Sequence, residues 1–301
     1  PDSITLEIKT GTTASEIGIL LEQNKIIKSS LAFDFYTRVN NNRSDLQAGI
    51  YEFRPSQSVQ EIVRKLIVGD IASDLVTILP GQRLDQIVSS FTDLGYTPGE
   101  INEAFDPSNY KDHPILASKP ASSTLEGYIF PESFQRTSAT TLEDIIGAAL
   151  DQTADAISAD IIAALNNQGL SVHDAVIIAS IVEREVDNID DMPVVAQVFL
   201  KRYSEGIRLG SDITAIYGAE TNGLELSVFA DTPYNTRLYE GLPPGPVSNI
   251  SRDAIRSVAF PSNSNYLYFV AGDDGVTYFS RTLAEHESLT RQHCIELCAL
   301  Y

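Results

Sequence analysis

The chain is poor in the residues on which several chemistries depend. Its 301 residues include only two cysteines, Cys294 and Cys298, both near the C-terminus. Two thiols cannot build a disulfide framework for a chain of this length. Four residues apart on an expected helix they would face each other beside His293, yet a metal site there would still lack a fourth ligand. We read them as structural or incidental thiols. Histidine is scarce too: His113, His173, His286 and His293 are scattered, with no zinc-type spacing. His286, close to Glu285 and Glu287, reads as a surface helix residue. No G-x-G-x-x-G or P-loop occurs, so nothing asks for a metal, a nucleotide or any other cofactor.

Basic residues are outnumbered, 21 Lys and Arg against 41 Asp and Glu, for a formal charge of −20. No Lys/Arg block of five appears. Such a surface repels phosphates, which argues against nucleic acid and anionic lipid as partners. No apolar run reaches the roughly 18 residues a bilayer span needs, and no signal peptide is present. The chain opens at Pro1 and not at Met, so we expect a trimmed or mature stretch. A missing targeting segment then does not argue for the cytoplasm.

What is present is ample core material, 43% hydrophobic residues, as in ordinary globular proteins. Residues 4–9 alternate apolar and polar, the mark of a half-buried strand. Thr13 with Glu16 forms a capping box, and helices are expected over 17–21 and 30–39. Residues 49–53 read as a strand, and Ser58 with Glu61 opens a further capped helix ending near Gly69. The helix openings at Ala14, Val59 and Leu84 resemble one another, which is common to capped amphipathic helices and also fits a small β-α-α-β sugar-binding module. Residues 74–79 are expected as a strand before a Pro80-Gly81 turn, 98–124 as loop-rich, and 141–165 as one long helix closed by 166–169. Ser171 and Asp174 cap a strongly apolar helix over 175–186. Short strands at 266–271 and 276–280 precede a helix from Leu283. The expected class is α+β, with helices segregated from small sheets and no βαβ alternation.

The helix over 175–186, AVIIASIVEREV, carries the chemistry. At 100° per residue Ile178, Ile181, Val182 and Glu185 share a face, while Glu183 points roughly opposite. A carboxylate among aliphatic groups is costly to ionise; it either pairs with a cation or its pKa rises until it can donate a proton near neutrality. The second outcome is what a glycosidic-bond acid requires. Periodicity alone favours the plainer account, a helix-end Glu at a solvent edge or paired with Arg184 or Arg202. Rigid loops bearing Tyr, Asn and Asp suit carbohydrate, since aromatic faces stack on sugar rings and amides bond hydroxyls. Each such loop, taken singly, also fits a turn that merely packs.

Taken together, LEGYIFPESF (125–134), IIASIVEREV (177–186), RLGSDITAIYG (208–218), TPYNTR (232–237), GLPPGPVSN (241–249) and NYLYFVA (265–271) resemble the MltG-like (YceG-like) endolytic murein transglycosylase family, in order and rough spacing. The resemblance covers nearly the whole chain. It implies a small LysM-like N-terminal module over 1–72, followed by a mixed α/β catalytic domain over 73–301. It also implies a bacterial protein held in the cell membrane by a single N-terminal anchor absent from this stretch, with its catalytic part extracytoplasmic. The implied substrate is the glycan strand of nascent peptidoglycan, and the implied protein partners are cell-wall synthases. By the same resemblance Glu185 is the catalytic acid, and Glu183, Glu126, Tyr128, Ser211, Asp212, Tyr217, Tyr234, Asn235 and Thr236 bind substrate, with no metal. Gly210 stands where the family usually has Gln, Thr277 where it often has His, and Arg237 where an aromatic is common. The alternatives are a lysozyme-type muramidase, with Asp212 or Glu126 as second carboxylate, and a glycan-binding scaffold without activity.

Overall fold

Alternation along β1 (Ile4–Ile8) buries Leu6 and Ile8, and along β2 (Gly49–Phe53) it buries Tyr51 and Phe53. The two strands pair antiparallel with Leu6 opposite Tyr51 and Ile4 opposite Phe53, so their large side chains share a face. Between them run α1 (Ala14–Gln23) and α2 (Ser30–Val39). Thr13 and Glu16 make the expected reciprocal cap on α1, and Ser58 with Glu61 does the same on α3 (Val59–Val68). Ile17, Leu21, Phe33, Ile62 and Leu66 close the core over the strand pair.

The computed structural model describes residues 4–55, 57–69, 74–136, 140–296 and 298. It divides into two units, one of residues 1–76 with 133–141, the other of 77–132 with 142–301. The first is thus a β-α-α-β module followed by α3. It takes in 133–141 because β4 (Ser133–Arg136) pairs with β3 (Asp74–Thr77). The boundary expected between residues 72 and 73 lies outside the described residues.

The second unit is built around a helix, α8 (Val172–Glu185), capped by Ser171 and Asp174 as expected. Every residue from Ala175 to Val182 is buried, packed by α9 (Met192–Ser204) and α11 (Arg252–Ala259). The helix is therefore buried all round. A shared face with Ile178, Ile181 and Val182 does not by itself distinguish Glu185; its place at the end of the helix does.

Two loops close over α8. Val247 donates its backbone N–H to Ser180 Oγ at 3.0 Å, and Ser248 Oγ donates to the Ser180 carbonyl at 3.2 Å. Gly127 has φ +84°, and a Cβ there would lie 2.5 Å from Pro246 Cβ and 2.9 Å from Val176 Cγ1. LEGYIF and GLPPGPVSN thus meet across a gap that only glycine leaves open.

Within the loop-rich stretch 98–124, Thr97 and Glu100 cap a short helix, α5 (Pro98–Ala104). Two expectations need correction. The long helix is two, α6 (Leu142–Ala156) and α7 (Ala159–Asn167), because Ser158 takes the extended conformation of an N-cap between them. The last helix, α12 (Leu283–His293), ends before the cysteines, and Cys294 and Cys298 form a disulfide. That helix packs on an antiparallel pair, β5 (Tyr268–Ala271) and β6 (Thr277–Ser280), in which Ala271 faces Thr277.

Candidate active site

Glu185 is the final residue of α8, and the chain turns extended at Val186. Its carboxylate accepts the Ser211 hydroxyl at 2.5 Å. Ser211 is held in turn by its backbone N–H, which donates to Thr236 Oγ1 at 3.1 Å, while Gly210 N–H donates to the Thr236 carbonyl at 3.0 Å. Thr214, in α10 (Asp212–Thr221), donates its hydroxyl to the Ser211 carbonyl at 2.8 Å and lies 2.8 Å from the Thr236 hydroxyl. RLGSDIT and TPYNTR are thereby stitched into one support for a single carboxyl.

That carboxyl opens on a pocket of about 260 Å³. Ser211, Asp212, Arg202, Arg237 and His286 supply its polar wall, and Phe199, Phe269, Val270 and Ala271 its apolar one. Burial pushes the Glu185 pKa up to about 7. The Ser211 bond opposes that rise, the Asp212 charge adds to it, and Arg184 and Arg202 oppose it. Asp212 is ion-paired with Arg237, so this arginine binds a pocket acid. Gly210 has φ +68°, and a Cβ there would lie 3.0 Å from Arg202 Nη1. A side chain would be strained at this position, and the glycine leaves the Arg202 side of the pocket clear.

A second carboxyl, that of Glu126, is buried on LEGYIF. Both oxygens of Glu126 accept the N–H of Leu84, the first residue of α4 (Leu84–Asp93), at 3.0 and 3.1 Å, and one accepts the Tyr217 hydroxyl at 3.1 Å. Burial raises Glu126 to about 7, against the pull of those two bonds. Tyr217 tilts against Tyr234 at 4.8 Å between ring centroids. Arg184 feels both acids: burial and the Arg83 charge lower its pKa, while Glu220, Glu126 and Glu185 act the other way. Its Nη1 is buried and has no hydrogen-bond partner among the described residues.

The expected site residues therefore fall into three groups. Glu185, Ser211 and Asp212 line one pocket, with Thr236 directly behind; Glu126, Tyr217 and Tyr234 form the second cluster. Glu183, Tyr128 and Asn235 do other work. Glu183 accepts the Ser251 N–H at 2.9 Å and its hydroxyl at 2.6 Å, at the N-terminus of α11, and burial raises its pKa. Tyr128 is wholly buried, its hydroxyl 2.8 Å from His173 Nδ1 and its ring stacked on that imidazole; a residue enclosed in this way does not face a cleft. Asn235, also wholly buried, donates to the carbonyls of Val228 and Ala230 and accepts the Arg237 N–H, which shapes the loop that carries Thr236.

Two pocket residues are absent from the sequence-based set. Arg202 ties the pocket walls together, donating from Nε to the Leu267 carbonyl and from Nη1 to the Leu209 carbonyl, each at 2.6 Å. His286 is not a free surface histidine: it lines the pocket and stacks on Tyr268 at 5.3 Å. The sequence offered Arg202 only as a possible partner of Glu185 and His286 only as a surface residue, since their convergence depends on how α9 and α12 approach β5. Among the described residues no group of His, Cys, Asp and Glu is arranged to hold a metal ion.

The sequence profile of the YceG-like family matches residues 6–292. The chain is 29% identical over 307 residues to an endolytic murein transglycosylase of Bacillus subtilis strain 168, covering 97% of this chain and 85% of that one. It is also 29% identical to an endolytic murein transglycosylase of Streptococcus pneumoniae, where it spans 58% of the relative's length. A crystal structure of a yceG-like protein from Listeria monocytogenes superposes with a TM-score of 0.62 at 32% identity, covering 95% of this chain and 99% of the other.

Proposed function

The chain belongs to the YceG-like family, and from that premise we propose that it is an endolytic peptidoglycan lytic transglycosylase with Glu185 as its catalytic acid and base. The observation that carries this reading is one carboxyl, poised near neutrality by burial, held by Ser211 and open to a pocket. Protonated Glu185 gives its proton to the oxygen that leaves C1 of N-acetylmuramic acid as the β-1,4 bond to N-acetylglucosamine breaks. Positive charge develops at C1. The carboxylate then takes the proton from the muramic C6 hydroxyl, O6 bonds to C1, and a 1,6-anhydro end forms without water as nucleophile. Glu185 ends protonated, ready for the next bond.

One carboxyl suffices for both transfers. Glu126 is engaged by Leu84 and Tyr217, and we assign it with Tyr217, Tyr234, Asp212 and Thr236 to binding and to shaping the cleft. On the same reading the β-α-α-β unit is a LysM-like glycan-binding module, and nascent strands, with cell-wall synthases nearby, are the setting. A membrane anchor would lie outside these residues; among the described residues no helix is long and apolar enough to cross a membrane.

A hydrolytic reading has one feature in its favour, Asp212 in the same pocket. Its ion pair with Arg237 counts against its acting as a free base. Mass spectrometry of digested peptidoglycan separates the two: a transglycosylase releases anhydro ends, and a hydrolase releases reducing ends heavier by one water. Glu185→Gln is expected to lower the rate of anhydro-product release by at least about 100-fold. Wild-type rates from that variant, or reducing ends from the wild type, would sink the assignment.

A further inference from the structure

The charge of −20 argues against an anionic surface as a partner for the chain as a whole, yet that charge is unevenly spread. The first unit, residues 1–76 with 133–141, holds ten acids and nine bases, a net −1, and the second unit carries −19. Within the first unit, residues 24–43 contain Lys25, Lys28, Arg38 and Arg43 against a single acid, Asp34. Both arginines pair with that acid, so the segment is locally cationic. Charges farther away than about 8 Å are screened at physiological salt. The segment, and not the total, therefore decides what α2 meets.

The helix inside this segment wears an apolar face outward. Phe33 and Thr37 turn to the core of the module, where the buried Thr37 hydroxyl donates to the Phe33 carbonyl at 3.1 Å. Leu31, Phe35 and Val39 follow one another at four-residue steps along the opposite face, 81%, 68% and 61% exposed. Lys28 is exposed just ahead of the helix and Arg38 within it. Single exposed apolar residues are ordinary, but a stripe of three large ones on one helix is not. Together they show on the order of 400 Å². A stable protein interface buries about twice that on each partner. A bilayer asks for no matching shape, and an apolar ridge edged by Lys and Arg suits its headgroup region.

We propose that the outer face of α2 docks on an anionic lipid bilayer. Leu31, Phe35 and Val39 enter the boundary between headgroups and acyl chains, and Lys28 and Arg38 meet lipid phosphates. This contact belongs to the module's own surface and is distinct from any membrane-spanning anchor. It does not depend on the chemistry assigned to Glu185.

The test floats the 301-residue chain with vesicles of phosphatidylcholine containing about 30% phosphatidylglycerol, and with vesicles of phosphatidylcholine alone. Weak, reversible binding to the anionic vesicles is expected, half of the protein being bound at roughly 1 mM lipid. Binding to the neutral vesicles should be at least about fivefold weaker. Leu31→Ser, Phe35→Ser and Val39→Ser in one chain should lower the partition coefficient at least about tenfold, with the melting temperature retained because all three side chains are exposed. Lys25→Glu with Lys28→Glu should lower it about fivefold toward the anionic vesicles only, and this pair decides the matter if the triple variant fails to fold. Leu224→Ser with Leu226→Ser, also exposed but in the second unit, should change it less than about twofold. No binding by the wild type, equal binding to both lipid compositions, unchanged binding by the triple variant, or an equal loss in the Leu224 and Leu226 control overturns the proposal. So does a lipid-free dimer of the wild type that the triple variant abolishes in sedimentation equilibrium, since a second copy of this chain would then be the occupant.

Discussion

At the scale of single residues, the behaviour of the pocket depends on how one proton is held. Glu185 must be protonated to act as the acid, so activity is expected to fall as pH rises through about 7. The Ser211 hydroxyl stabilises the ionised form. Removing it in Ser211→Ala therefore raises the Glu185 pKa, and the alkaline limb of the kcat/KM profile should move to higher pH. A limb that stays in place or moves down would show that Ser211 does not control this proton. Part of this was legible in the sequence. Ile178, Ile181 and Val182 announced an apolar setting for Glu185, but not that the whole helix is enclosed. Arg202 was legible only as one possible partner of Glu185, and His286 not at all as a pocket residue, because they converge on Glu185 through the packing of α9 and α12 against β5, which no local pattern encodes.

Helices and loops show a different division of labour. Two glutamates two residues apart on α8 have opposite tasks: Glu185 faces the pocket, and Glu183 accepts both donors of Ser251 at the start of α11. Ser251 in turn caps that helix through Ala254 N–H. Glu183→Ala leaves those donors short of a buried acceptor and should cost about 1–3 kcal/mol in chemical denaturation, with most of the per-molecule activity of the folded fraction retained. A loss of turnover without a loss of stability would return Glu183 to the substrate side. Capping boxes at Thr13, Ser58 and Ser171 were readable because two residues three positions apart define each of them. The break at Ser158 was not, since the apolar pattern runs on through Ile157 and Ile161, both buried.

For the molecule as a whole, two buried acids make stability depend on pH. Glu126 and Glu185 both have folded-state values raised from 4.5 to about 7. A raised pKa means that folding favours the protonated form. The protein therefore keeps its full stability below about pH 4.5 on this account and loses it progressively as pH rises through about 7. At the ceiling, each acid costs about 3 kcal/mol above that range. Glu185→Gln, which keeps shape and an acceptor for Ser211, should raise Tm at about pH 8, and the gain should vanish at about pH 4. A gain that is equal at both values would mean that desolvation is not what holds the proton.

The Cys294–Cys298 bond, finally, does more than tidy a chain end, since Cys298 belongs to the pocket wall. Such a bond persists where the surroundings are oxidising. If the catalytic part lies outside the cytoplasm, as the family resemblance implies, the cleft acquires this covalent tie only after export, and a chain retained in a reducing interior carries an unfinished rim.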